Sequence, residues 1–310
     1  MDTSGMATTA SRIRLGWLGP VAVGIGLVVT AFVVASYIAG SPAKPNPLAG
    51  AIAKMEDQIR ADTQNADLRV QVADAYLSEN RSQEALDQYH QALQIDANRE
   101  DALYGMGLAN RQLGNLDQAS AALQTVIQMN VSNPTAALDK RLQGAHFYLG
   151  LVLRDQGHYD EAINELRTAL GLNQADADTL FELGKTFALA GQNDDASAAF
   201  DVTLAYVPEY EEAYVEMGKL ATAMGDQAKS QYAQAMLDVL HGKAKDAIPT
   251  LQSVAQGASS DRYWWGLGYA MEKTGDNAGA MAAYQKAVDI NPGQLLASES
   301  LRRLQGGSTP

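Results

Sequence analysis

The sequence predicts an all-α solenoid of paired, antiparallel helices. Three observations predict it. Alanines with similar neighbours recur at Ala85, Ala119, Ala162, Ala196, Ala247 and Ala280, at spacings of 34, 43, 34, 51 and 33 residues. Small residues recur ahead of them, at Ala73, Gly107, Gly150, Gly184, Gly218 and Gly268. Turn formers close the units, as Gly275 and Pro292 do in the last one. A period of 34 suits a helix–turn–helix unit that buries its apolar face only against a neighbouring copy. A mid-helix glycine costs about 1 kcal/mol relative to alanine. Its recurrence at one repeat position predicts a close helix approach there.

The chain begins differently. No side chain from Leu15 to Ala39 is charged. About 20 helical residues cross a hydrocarbon core of roughly 30 Å, so this run is long enough to span a membrane. Trp17 and Tyr37 lie near its ends, where amphipathic rings prefer the interface. A cleaved signal peptide is the competing reading. Its apolar region is usually only ~7–15 residues, and Ile38-Ala39-Gly40 makes a poor cleavage site. The expectation is a cytoplasmic tail over 1–14, a transmembrane helix over 15–39 and an extracytoplasmic remainder. Arg12 and Arg14 ahead of the span set that orientation. The segment 40–48 holds three closely spaced prolines, Pro42, Pro45 and Pro47, which favour a stiff extended spacer.

Composition narrows the function classes. The net charge is −13, and the first 49 residues carry Arg12, Arg14 and Lys44 against Asp2 alone. The remainder is therefore strongly acidic and repels phosphate backbones, which argues against nucleic-acid binding. The chain has no cysteine, so disulfides, cysteine-ligated zinc and thiol catalysis are excluded.

From 49 onward each segment has a place. Residues 49–63 read as an amphipathic helix covering one end of the stack. Repeats fall near 66–99, 100–133, 143–176, 177–210, 228–260 and 261–294. Residues 134–142 extend a helix into the third repeat. Residues 211–227 start as a strong first helix, with Tyr214, Met217 and Gly218, and reach no recognisable partner. They read as an odd helix where the stack changes direction. Residues 295–304 read as a terminal capping helix.

In "WWGLGYAMEKTGDNAGAMAAYQKAVDINP" (264–292) the pattern is nearly complete, and the repeats resemble the tetratricopeptide repeat (TPR) family. The resemblance covers all but the N-terminal fifth of the chain. It implies a right-handed superhelical solenoid, a non-enzymatic role, and a concave surface lined by positions 2, 5, 9 and 12 of each first helix. On that surface it would place Tyr104, Phe147, Phe181, Tyr232, Trp265 and Tyr269, with the cations Arg111, Arg154, Lys185 and Lys219 among them. Trp264 would pack between helices while Trp265 faces the groove. Four cations in an acidic domain suggest a protein or peptide partner with an acidic side chain or a C-terminal carboxylate. The aromatic stripe also fits ordinary consensus packing. The family's lysine–asparagine carboxylate clamp does not match.

No chemistry competes with this reading. His90, His146, His158 and His241 are scattered over different repeats without ligand spacing, so no metal is expected. Phosphate-loop, H-E-x-x-H and G-x-S-x-G motifs are absent, and no cofactor is expected. The acids of "EYEE" (209–212) and "NDD" (193–195) fit helix N-termini. The expected function is a membrane-anchored scaffold that binds a partner protein or assists assembly of a membrane or extracytoplasmic complex. A permanent structural subunit of a membrane complex is the alternative. The segment 51–103 also looks like TPR segments of bacterial cytochrome c maturation proteins, which would imply apocytochrome presentation.

Overall fold

The computed structural model describes residues 47–131 and 140–306. The expected cytoplasmic tail, transmembrane helix and most of the spacer lie outside the described residues. No helix among the described residues is long and apolar enough to cross a membrane. The chain divides into two units, 1–61 and 62–310. The first contains helix α1 (Pro47–Ala61), the expected amphipathic segment.

The second unit is all-α among its described residues. Its helices are α2 (Ala66–Ser78), α3 (Ser82–Ile95), α4 (Glu100–Gln112), α5 (Leu116–Asn130), α6 (Lys140–Asp155), α7 (Tyr159–Leu172) and α8 (Ala177–Leu189). They continue as α9 (Asn193–Tyr206), α10 (Glu211–Met224), α11 (Gln227–Leu240), α12 (Ala244–Gly257), α13 (Asp261–Lys273), α14 (Asn277–Ile290) and α15 (Leu295–Leu304). Residues 134–139, expected to extend a helix, lie outside the described residues.

Local chemistry sets the helix ends. Asn65, Asp176, Asp226 and Asp276 accept a backbone N–H of the helix that each precedes, which satisfies one of its otherwise unpaired donors. Asp194, Asp195, Glu211 and Glu212 occupy first turns, where the helix dipole favours an anion. Gly225 ends α10 with φ 76°, a left-handed conformation that glycine adopts without a Cβ clash.

The repeat pattern is a packing pattern. All six periodic alanines are buried, with at most 2% exposure. The recurrent glycine of the first helix faces a large side chain of the second. A Cβ on Gly107, Gly150, Gly184 or Gly268 would lie 2.6, 2.8, 2.7 or 2.6 Å from Leu123, Leu166, Phe200 or Tyr284 respectively. Those four side chains are essentially fully buried. Burial of a large apolar side chain contributes about 1.5–3 kcal/mol. Gly218 breaks the series, because its Cβ would meet only the Ala233 methyl, at 3.4 Å.

Gly218 marks the place where the stack changes phase. The first helices α2, α4, α6, α8 and α10 each contact the next, beyond their own partners. They therefore lie on the closer-spaced, inner side of the stack. After α10 the alternation slips. Helix α11 packs on α10 as a second helix does, yet it also pairs with α12 and contacts α13 as a first helix does. The odd helix 211–224 thus has a partner, one shared with the following repeat. Asp201 on α9 fixes the new direction. It pairs with Lys229 of α11 at 2.9 Å and with Arg262 of α13 at 3.5 Å, and Arg262 also donates to the Asp201 backbone carbonyl at 2.7 Å.

Candidate functional site

The inner helices carry the residues singled out in the sequence, but not all of them face open space. Tyr104 and Phe147 are half-buried and are linked through Tyr148, with ring centroids 6.1 and 5.0 Å away and edge-on geometry. Tyr269 is also half-buried. Phe181 is buried at 7% exposure, between Phe200 and Tyr210. Lys185 covers its ring at 5.2 Å.

Tyr232 is a correction. It is fully buried rather than groove-lining. The cause is the double role of α11: its would-be groove face is covered by Tyr214 of α10 and Tyr263 of α13, at 6.2 and 4.7 Å between ring centroids. Burial pushes the Tyr263 phenol up to about 12, and pushes Tyr232 up as well.

The tryptophans also differ from expectation. Trp265 is buried, with 5% exposure, while its neighbour Trp264 is half-buried against the core. Trp265 stacks on Tyr269, with centroids 5.3 Å apart and planes 20° from parallel. The capping helix α15 and the turn between α9 and α10 enclose the pair.

Each expected cation is matched by a carboxylate of the chain itself. Arg111 pairs with Asp155 at 3.1 Å. Arg154 pairs with Glu182. Lys185 reaches the same Glu182 at 3.0 Å, and Lys219 pairs with Glu216 at 2.8 Å. Burial raises the Glu182 pKa, but Arg154 and then Lys185 overcome it and hold the carboxyl below its ordinary value. Arg99 with Asp67 and Arg141 with Glu100 continue this set. Arg111 and Arg154 thus tie successive inner helices together, while Lys185 and Lys219 pair within their own helices, and little uncompensated charge is left in mid-groove.

An open cavity lies farther along, between α13, α15 and the α9–α10 turn. Its volume is about 610 Å3. Trp265, Tyr269, Val207, Pro208, Tyr206 and Leu296 supply apolar walls; Glu209, Glu299, Arg302 and Arg303 stand among them. The Tyr269 hydroxyl donates to Glu209, 60 residues away in the chain, and that bond, followed by Lys273, lowers the Glu209 pKa. Burial and the same bond raise the Tyr269 pKa. Both groups therefore hold their charge states near neutrality. Trp265 and Tyr269 were legible at their repeat positions. The turn residues and Arg302 were not, since no local periodicity places α13 against a turn so far away in sequence.

No cluster of three or more metal-binding side chains occurs among the described residues. His146 Nδ1 lies 2.6 Å from Glu165, a pairing within one repeat. Asn130 is buried, and its amide donates to the Val126 carbonyl at 3.1 Å.

Paired helices, glycine notches and an inner surface of first helices define a helical-repeat solenoid. Tetratricopeptide repeat models match residues 73–114, 150–191, 101–129 and 232–294, just over half of the chain together. The chain belongs to the tetratricopeptide repeat family. Among solved structures it is similar to PilW, a widely conserved type IV pilus biogenesis factor, at 21% identity and TM-score 0.56, over 68% of this chain and 91% of that one. It is also similar to YrrB, a TPR protein with an unusual peptide-binding site, at 18% identity and TM-score 0.43, over 79% and 96% of the two chains. A tetratricopeptide repeat protein from Parabacteroides merdae aligns at 16% identity and TM-score 0.47, over 83% and 92%. No curated protein sequence matches the chain.

Proposed function

We propose that the chain is a membrane-anchored, non-enzymatic TPR scaffold whose inner surface holds a partner protein, for assembly of a membrane or extracytoplasmic complex. The observation that carries this reading is the inner surface itself: half-buried Tyr104 and Phe147 lie on its successive helices α4 and α6, and half-buried Tyr269 on α13 borders a cavity of about 610 Å3. The uncharged run from Leu15 to Ala39 supports the anchor, and the arginines before it support a cytoplasmic N-terminus with the repeats outside. A cavity of this size takes side chains of a polypeptide segment rather than a folded domain.

The test is crosslinking of the full-length chain in its native membrane, followed by identification of the captured proteins. Phe147→Ser alters the inner surface, and Thr168→Arg alters an exposed second-helix position. A partner captured by the wild type and by Thr168→Arg, but lost with a folded Phe147→Ser, supports the reading. Equal capture by all three overturns it. A cysteine introduced at Ser41 of this cysteine-free chain reports topology. Labelling from the cytoplasmic side would reverse the proposed orientation.

A further inference from the structure

The first helices carry a row of notches, and at Gly218 the chain does not fill its own. In four helix pairs the notch glycine is buried, and the residue sixteen positions later seats a large side chain over it. Gly107 takes Leu123, Gly150 takes Leu166, Gly184 takes Phe200 and Gly268 takes Tyr284. Each of those side chains follows a fully buried alanine by four residues, namely Ala119, Ala162, Ala196 and Ala280. On α10 the same step leads from Gly218 to Gln234, with Ser230 in place of the alanine, and Gln234 is exposed. Gly218 itself is only half-buried.

The cause is the double role of α11. Its large side chains turn to the next repeat, where a Cβ on Gly266 of α13 would lie 2.6 Å from Tyr232 and 3.0 Å from Met236. A cavity of about 550 Å3 is left at Gly218, between α10 and α11. Tyr214, Val215 and Leu237 supply its apolar walls. Three of its polar side chains are already engaged. Lys219 pairs with Glu216 at 2.8 Å, and the Thr222 and Ser230 hydroxyls bond each other at 2.8 Å. The cavity therefore selects by shape and apolar surface rather than by charge.

We propose that this notch is the seat for a helix of a partner protein, which inserts a Leu, Phe or Tyr over Gly218 and approaches closely through a small residue four positions earlier. The four filled notches name that chemistry, because in each of them the chain's own second helix seats in this way. The notch at Gly218 continues their row, so the partner helix extends a packing interface that the solenoid already uses. An amphipathic helix laid in an apolar groove is read through such spaced anchors. The inference rests on the reading that the inner surface binds polypeptide, and it adds the partner's secondary structure and its anchor residue.

The test displays a library of helical peptides, randomised on one face of an Ala-Glu-Lys scaffold, on purified full-length chain in lipid nanodiscs. Enriched peptides are synthesised and titrated by fluorescence polarisation against wild type, Gln234→Phe, Gly218→Ala and Phe147→Ala, with circular dichroism to check folding. Gln234→Phe fills the notch from within and should raise the melting temperature by about 2 °C or more. The expected peptides carry Leu, Phe or Tyr with Ala, Gly or Ser four residues earlier. Their affinity should fall about ten-fold or more in Gln234→Phe. It should also fall in Gly218→Ala, although that variant is no less stable than wild type. Peptides that bind both of these variants as tightly as wild type, or that lack a large apolar residue, overturn the proposal. A folded Gln234→Phe with no gain in melting temperature also overturns it, since the notch then does not accept a large side chain. Dependence on Phe147 without dependence on Gly218 or Gln234 overturns it while sparing the broader reading. Failure to enrich any peptide, or equal binding to every variant, overturns both.

Discussion

Arg303 grips Glu272 with both arms of its guanidinium, at 2.6 and 2.9 Å, and so fastens the capping helix to the last full repeat. The carboxylate also accepts from the Tyr284 hydroxyl at 3.0 Å. The Arg303 bond is the main cause of a lowered Glu272 pKa. A carboxyl whose folded pKa lies below its ordinary value of 4.5 stabilises fully above that value and loses its contribution as pH falls below it. Arg303 is more than half exposed, so the pair contributes about 1 kcal/mol or less. We expect α15 amides to exchange faster as pH drops below about 4.5, after correction for intrinsic rates, and Arg303→Ala to show that faster exchange already at neutral pH. An unchanged exchange pattern in Arg303→Ala would show that α15 is held by its apolar contacts alone.

The two adjacent tryptophans should separate in the opposite order from that read in the sequence. Trp265→Ala empties an enclosed position and should cost about 3–5 kcal/mol in urea unfolding. Trp264→Ala removes a half-buried ring and should cost clearly less. Equal costs would contradict the observed difference in burial.

Two glycines at equivalent repeat positions should respond with opposite signs. In Gly268→Ala the new methyl would lie 2.6 Å from the fully buried Tyr284 ring. That overpacking should destabilise by about 1–3 kcal/mol. Gly218→Ala meets only Ala233 at 3.4 Å, and helix propensity gains up to about 1 kcal/mol there. Thermal unfolding of the two variants checks both signs.

Charge reversal at Arg154 should act on folding before it acts on binding. The Arg154 and Glu182 side chains are 10% and 18% exposed. Removing one partner of such a pair costs roughly 3 kcal/mol, and a new carboxylate beside Glu182 adds repulsion. Lys219→Glu, at a position with 67% exposure, should leave the melting temperature within about a degree or two. A pull-down that loses its partner with Arg154→Glu therefore requires a stability measurement beside it.

These contrasts show where sequence reading succeeds and where it stops. The periodic alanines and glycines report contacts within one helix pair, so Ala119, Gly150 and Gly268 led directly to the fold. Tyr232 sat at a groove position by the same counting and is core. Its environment depends on Tyr214 and Tyr263, which reach it because α11 is shared between two pairs. Arg111 and Arg154 were visible, but their carboxylates were not, since Asp155 and Glu182 come from the next inner helix. The cavity needed a reach of 60 residues, from Tyr269 to Glu209.

Helix α11 has a consequence for how the array can be cut and rejoined. In a uniform solenoid any pair can be excised and the flanking surfaces still match, because each joint is the same joint. Here the joint at α11 has no duplicate. Excision of α4 with α5 brings together faces of a kind already present in the chain, whereas excision of α10 with α11 leaves α9 facing α12, two second helices with no complementary side. The molecule is modular on either side of that seam and indivisible across it.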